Sequence, residues 1–241
     1  MSTLISWTDT TWNPTTGCSR VSEGCRFCYA ETLSLRFGWS KKPWTAANAA
    51  ENVLLHPERL RHPYRWKTPS RVFVNSMSDL FHEAIPDDFL TAVFSVMNDL
   101  PQHTFQILTK RPERAAAWSG PWAPNIWMGT SVEDERALHR IAALRRCPAS
   151  TRFLSCEPLL GPLPHLDLAG IHWAIVGGES GRHMTRHPER WMEHAWAREI
   201  RDLCGATGVP FFFKQSSGLR TEMGVELIEI DGSRAKHQQF P

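Results

Sequence analysis

The chain has little tyrosine, almost no net charge and no long apolar run, and each shortage removes a class of function. Lys and Arg total 27 against 25 Asp and Glu, a formal net charge of +2. That is far from the basic footprint of a dedicated nucleic-acid module, although a local basic face stays compatible with it. No stretch of about 18 apolar residues occurs, so no membrane span is expected. The opening MSTLISWTDTTW has neither a charged first region nor a long apolar one, so no signal peptide is evident. A soluble, cytoplasmic chain with no membrane partner is the expectation. Internal repeats and low-complexity tracts are lacking too. Two tyrosines stand against 11 tryptophans; several of these, Trp7, Trp12, Trp127 and Trp173 among them, adjoin apolar or strand-like segments and read as core.

What is present is a 241-residue chain with 41% hydrophobic residues, within the globular range and long enough for one full-sized domain. A loop-rich insertion is expected at about residues 40–69, with a short helix around Ala46–Leu60. After it, strands and helices alternate. Arg71–Ser76 reads as a buried strand, then Pro86 with Asp87 and Asp88 opens a helix. Thr104–Thr109, Asn125–Thr130, Thr151–Cys156, His172–Val176 and Val209–Phe213 are further apolar strands. Val132–Arg146 and Pro188–Thr207 read as the intervening long helices, and Val225–Ile230 as a final strand or hairpin arm. Such near-continuous apolar strands belong to a parallel sheet covered by helices. About six strand–helix units make an α/β fold of the partial (β/α)6-barrel type, with a doubly wound sheet as the competitor.

In both architectures the chemistry gathers at the C-terminal ends of the strands. Polar groups sit at those ends here: Asn75 to Asp79, Thr109-Lys110-Arg111, Ser131-Val132-Glu133, Ser155-Cys156-Glu157, Gly177-Gly178-Glu179 and Lys214-Gln215. One shared rim pocket would collect them.

Six cysteines occur, and Cys18, Cys25 and Cys28 fall within eleven residues. In a reducing compartment clustered cysteines are more often metal ligands than disulfides. Gly17 and Gly24 free the backbone for tight turns about them. Structural zinc wants four ligands, commonly two short-spaced pairs, and only Cys25 and Cys28 have that spacing. A cubane with three cysteine ligands suits the count better and leaves one iron open. Zinc recruiting a distant cysteine or histidine, and a redox pair of Cys25 and Cys28, stay open as readings of these residues.

With an aromatic, Phe27, just before its last cysteine, this loop resembles the cluster loop of radical S-adenosylmethionine (radical SAM) enzymes. Six residues separate the first two cysteines, where the commonest pattern of that group has three. The stretches Thr11–Pro14, Gly24–Ala30, Phe73–Phe81, Phe105–Pro112, Asn125–Glu133, Leu154–Leu163, Trp173–Gly181 and Pro210–Gln215 resemble a phage- and prophage-associated family of radical-SAM-like proteins. The resemblance implies a radical SAM barrel and a [4Fe–4S] cluster on Cys18, Cys25 and Cys28. It also implies S-adenosyl-L-methionine on the open iron, with Phe27 near the adenine and Asn75, Ser76 and Ser78 near the methionine amino group. Gly177, Gly178 and Glu179 would lie near the adenosine, although no Gly-Gly-Glu follows the first strand after the cluster. Lys110 and Glu157 would bind SAM or substrate and are the catalytic candidates. An electron donor of the flavodoxin or ferredoxin type, a nucleic-acid or nucleotide substrate and a protein partner are implied as associates. A non-catalytic zinc or iron–sulfur interaction protein is the alternative.

Overall fold

The computed structural model describes residues 3–221 and 223–241. Seven strands form the main sheet: β1 (Thr10–Trp12), β2 (Arg71–Val74), β3 (Thr104–Thr109), β4 (Ile126–Ser131), β5 (Thr151–Cys156), β6 (Trp173–Gly177) and β7 (Phe211–Gln215). They lie side by side in chain order, and every neighbouring pair is parallel. A doubly wound sheet reverses its strand order at a switch point. This one does not, so the crossovers stay on one side and the sheet curls into a half-barrel. Five helices are long enough to matter: α1 (Tyr29–Arg36), α2 (Asp87–Asn98), α3 (Pro112–Ala117), α4 (His139–Arg146) and α5 (His194–Thr207).

Strand alternation sorts the side chains onto two faces. Val72, Val74, Phe105, Ile107, Met128, Leu154, Ala174, Val176, Phe211 and Phe213 point outward, into one core with Leu90, Val93, Phe94 and Met97 of α2, Ile141 and Leu144 of α4 and Ile200 of α5. Each such side chain, fully buried, contributes roughly 1.5–3 kcal/mol. The intervening residues Phe73, Phe153, Trp173, Ile175 and Phe212 point inward and form a second core with Trp7. Trp173 is its hub: its ring centroid lies 5.7 Å from Phe153, 5.9 Å from Phe212 and 6.3 Å from Trp7. Trp7 and Trp173, with Trp127 packed beside them, plug the base of the half-barrel.

The open edge of β7 is covered by the chain's own end. Phe213 donates its N–H to the His237 carbonyl at 2.7 Å, and Gln239 to that of Phe211 at 3.1 Å. Phe240 then packs on Trp173 and Phe212 and receives the Arg71 guanidinium, 4.1 Å from its ring centroid. The tail thereby ties β7 to β2 across the base. Before it, Leu227–Ile228 and Arg234–Ala235 make the expected hairpin arm.

Two expectations shift. There are seven parallel strands rather than six, because Thr10–Trp12 pairs with β2 ahead of the cysteines. The helix expected over residues 46–60 is broken into single turns at Ala46–Asn48, Ala49–Asn52 and Pro57–Arg61, with Leu54–Leu55 extended between them against Thr15–Thr16.

Gly129 of β4 faces inward, and a Cβ there would lie 2.4 Å from the Phe153 ring. Gly129→Val should cost about 1–3 kcal/mol by overpacking, a fall of about 2–10 °C in Tm for a domain of this size. Gly205, in the last turn of α5 with open space at its Cβ position, gives the opposite result: Gly205→Ala should stabilise by about 0.5 kcal/mol. Thermal unfolding of both variants checks the pair.

Candidate functional site

All seven strands end on one rim, and the cysteine loop lies across it. Its entry is fixed by Gly17, whose φ of +83° favours glycine and whose Cβ position is 1.8 Å from the Asn52 carbonyl oxygen. The segment after α1 thus buttresses the loop. Asn13, just beyond β1, accepts from the Met77 N–H at 2.9 Å, and Gly17 donates to the Met77 carbonyl at 2.9 Å. Asn75 donates to the Thr15 hydroxyl at 2.6 Å and also to Ser78, whose hydroxyl meets that of Thr15 at 2.6 Å. Ser76 accepts from the Asn13 amide at 3.1 Å. The three polar residues predicted after β2 therefore hold the loop's entry in place. Asn75 Oδ1, buried, has no hydrogen-bond partner.

Three knots anchor the loop itself. In the first, the Ser22 hydroxyl donates to Glu133 at 2.8 Å. The Glu133 carboxylate also takes Lys110 Nζ at 2.7 Å and Arg140 at 2.8 Å. Gly24 packs so closely on this carboxylate that a Cβ would be 2.5 Å from Glu133 Cγ. In the second, Arg111 donates to the Ser19 carbonyl at 3.1 Å, to Asp79 at 3.2 Å and to Glu83 at 2.9 Å, with Nη1 3.6 Å from Cys18 Sγ. In the third, Arg190 joins Glu179 at 2.8 Å to Glu23 at 2.6 Å.

The three thiols are half-buried and none is in a disulfide. Burial pushes Cys18 up to about 12; Asp79 and the Cys28 and Cys25 sulfurs add to the rise, and Arg111 opposes it. Burial raises Cys28 as well, with Cys25 adding and Lys110 opposing. These sulfurs are thus within range of one another's charge. Ionising them together requires a nearby positive centre, which is what a bound metal supplies. No three His, Cys, Asp or Glu side chains among the described residues converge on a single ion-sized site. A single ion needs its donors at one point, whereas a cubane seats each cysteine on its own iron. Three cysteine sulfurs are donors of a kind that either centre takes.

The other predicted residues share the rim. Lys110 and Glu157 both lie there, but each is already paired: Lys110 with Glu133, and Glu157 with Lys214 at 2.5 Å. Gly177 faces Glu157, whose Cδ lies 3.3 Å from its Cβ position, and Gly178 lies against Ser217. Phe27 stacks on His183, centroids 4.1 Å apart and planes 12° apart, with the Arg190 guanidinium 5.1 Å from its centroid. Tyr29, the first residue of α1, donates its hydroxyl to the Ser76 carbonyl at 2.7 Å. Glu133, Arg140 and Arg190 were not candidates from the sequence. Glu133 was visible only as one more polar strand end, and the two arginines lie inside segments read as helix.

Glu133 is 1% exposed. Burial raises its carboxyl pKa, but Lys110 and Arg140 outweigh that and hold it at about 2. Its folded value is depressed, so its contribution to stability is complete above its unfolded value, near 4.5, and is lost as pH falls towards 2. Glu133→Gln leaves two buried cations facing a neutral amide, and should cost about 3–5 kcal/mol near neutrality. It should also flatten the loss of stability between pH 5 and pH 3, as read by urea unfolding at each pH.

No helix among the described residues is long and apolar enough to cross a membrane. Comparison with curated proteins and with solved structures gives no match. The family model described as "Protein of unknown function (DUF5131)" matches residues 2–238, nearly the full length, and the chain therefore belongs to the DUF5131 family.

Proposed function

We propose that this chain is a radical SAM enzyme whose (β/α) half-barrel carries a [4Fe–4S] cluster on Cys18, Cys25 and Cys28. The observation that carries the reading is the seating of a three-cysteine loop across the strand ends of a parallel half-barrel, where Arg111, Glu133 and, through Arg190, Glu179 anchor it. Cys18, Cys25 and Cys28 would hold the cluster, which, with S-adenosyl-L-methionine bound and a flavodoxin- or ferredoxin-type donor as reductant, would supply one-electron reductive cleavage of a carbon–sulfur bond and so the means of hydrogen abstraction.

The chain's own residues bind, orient and exclude water. Asn75 Oδ1 is a buried acceptor without a donor, which suits the amino group of the methionine part. Phe27, stacked on His183, offers an aromatic surface beside the last cysteine for the adenine. Gly177 and Gly178 let Glu157 and Ser217 pack directly onto the end of β6, so these glycines serve the adenosine side of the site through those two residues. Lys110 and Glu157 hold their charges in ion pairs, so they act first as positioning groups: Lys110 through Glu133 on the loop, and Glu157 through Lys214 across the β5–β7 mouth. The base of the half-barrel, closed by Trp7, Trp173 and Phe212, keeps water from entering beneath the site. A nucleic acid or nucleotide is the substrate class in this reading.

The test is anaerobic reconstitution with iron and sulfide, reduction, addition of S-adenosyl-L-methionine and an assay for 5′-deoxyadenosine. Wild type should bind close to four irons with matching labile sulfide and release 5′-deoxyadenosine. Cys25→Ala should release none while keeping a wild-type Tm. One zinc per chain without labile sulfide, and no product, would replace this reading with that of a non-catalytic metal-binding interaction protein.

A further inference from the structure

Nine of the eleven tryptophans are buried or half-buried, whereas Trp191 is 44% exposed and Trp39, the most exposed of all, 61%, with its neighbour Phe37 at 57%. These two rings stack on each other, centroids 5.2 Å apart with planes at 30°. The Arg36 guanidinium sits 5.7 Å from the Phe37 centroid. The backbone beneath is well held. Phe37 donates to the Leu33 carbonyl at 2.9 Å, Trp39 to that of Ser34 at 2.8 Å and Ser40 to the same carbonyl at 3.1 Å. Gly38 makes the turn with φ +70°, a conformation that glycine enters without strain. Ser40, buried, accepts from the Trp44 indole at 3.0 Å. The exposed rings therefore sit on an ordered helix end.

The charge around them has one sign. Between residues 36 and 50 the basic side chains are Arg36, Lys41 and Lys42, and there is no Asp or Glu. The acidic group that reaches in is Glu51, which meets Lys42 at 2.6 Å on the exposed surface, a pairing that a phosphate could displace at little cost. Open aromatic faces beside three cations, one of them held only by an exposed ion pair, match a ligand that carries π-faces and anionic links in alternation. We propose that Trp39 and Phe37 form a stacking platform for single-stranded nucleic acid, with Arg36, Lys41 and Lys42 on its phosphates. The platform lies at the far end of α1, whose N-terminus is capped by Cys28, about 12 Å along eight residues of helix. A strand laid on it would run towards the cysteine rim. The proposal goes beyond the radical SAM reading and stands without it, since the platform needs no cluster.

The experiment uses the full chain without reconstitution and fluorescein-labelled oligo(dT), oligo(U) and a duplex control, each of about fifteen nucleotides, followed by anisotropy at low salt. Single strands should bind, more tightly than duplex, and the dT and U arms show whether the natural ligand is DNA or RNA. Trp39→Ala should weaken binding about 5- to 100-fold, and Phe37→Ala should weaken it as well. Lys41→Gln should reduce the slope of log affinity against log salt by roughly 0.7. Tyr64→Ala, which removes an aromatic 50% exposed elsewhere, should bind as wild type does. The proposal is overturned if neither single strand binds at low salt, or if Trp39→Ala and Phe37→Ala, folded with wild-type Tm, keep full affinity. It is overturned equally by a sedimenting dimer that Trp39→Ala abolishes while no oligonucleotide binds. Normal oligonucleotide binding with no 5′-deoxyadenosine formed after reconstitution would remove the radical SAM reading and leave the platform standing.

Discussion

A carboxylate removed from water between a lysine and an arginine has to be paired on every side, and Glu133 is placed where that requirement organises three separate parts of the chain. Lys110 comes from the end of β3, Arg140 from α4 and Ser22 from the cysteine loop; Lys110 and Ser22 meet its Oε1 and Arg140 its Oε2. The loop makes no regular structure of its own beyond a short turn at Glu23–Cys25. Its position is therefore inherited from the strand ends. Burying these charges is expensive, and their mutual attraction repays that only when the geometry is tight and the remaining hydrogen bonds are made. The same tightness leaves no room for a side chain at residue 24.

The half-barrel separates stability from chemistry by depth. Along β5, β6 and β7 the inward residues change from aromatic at the base to charged or small at the rim: Phe153, Ser155 and then Glu157 on the first, Trp173, Ile175 and then Gly177 on the next, and Phe212 followed by Lys214 on the last. The outward residues are apolar through the middle of the strands, where they meet helices. Chain-order topology makes this possible. With all crossovers on the outer side, the inner face needs no helix to cover it, and its upper half is left for polar groups.

Much of this was legible in the sequence, for reasons that can be named. A strand buried on both faces is a continuous apolar run, so Thr104–Thr109 and Thr151–Cys156 were marked by composition alone. Thr10–Trp12 was not, since three residues rich in threonine carry no run, and its place is set by pairing with Val72–Val74. The helix read over residues 132–146 opens late because the Asp134 carboxylate takes the Arg136 N–H and starts a tight turn at Glu135–Ala137. The long helix from Pro188 is divided likewise: Pro188–Arg190 is a single turn, and the regular helix begins at His194. The rim itself was readable, but its wiring was not. Lys110 and Glu157 looked like free groups facing a ligand, and their partners Glu133 and Lys214 lie on other strand ends, a relation no local pattern encodes.

That wiring bears on how such a rim could hold a cluster at all. Arg111 lies beside Cys18, yet it is matched by Asp79 and Glu83. Arg190 lies over Phe27, yet it is matched by Glu179 and Glu23. Lys110, the cation that opposes the rise of Cys28, is matched by Glu133. Each cation near the loop is thus largely neutralised by a carboxylate fixed to a strand end or to the loop itself. The network then adds little net charge to the site. What it provides is position, since hydrogen-bonded pairs in a low-dielectric setting resist displacement more strongly than they alter the potential at a distance. In the radical SAM reading proposed above, the charge needed to ionise three neighbouring thiols would come from the bound cluster, and the ion pairs anchoring the loop would hold the thiols in place for it.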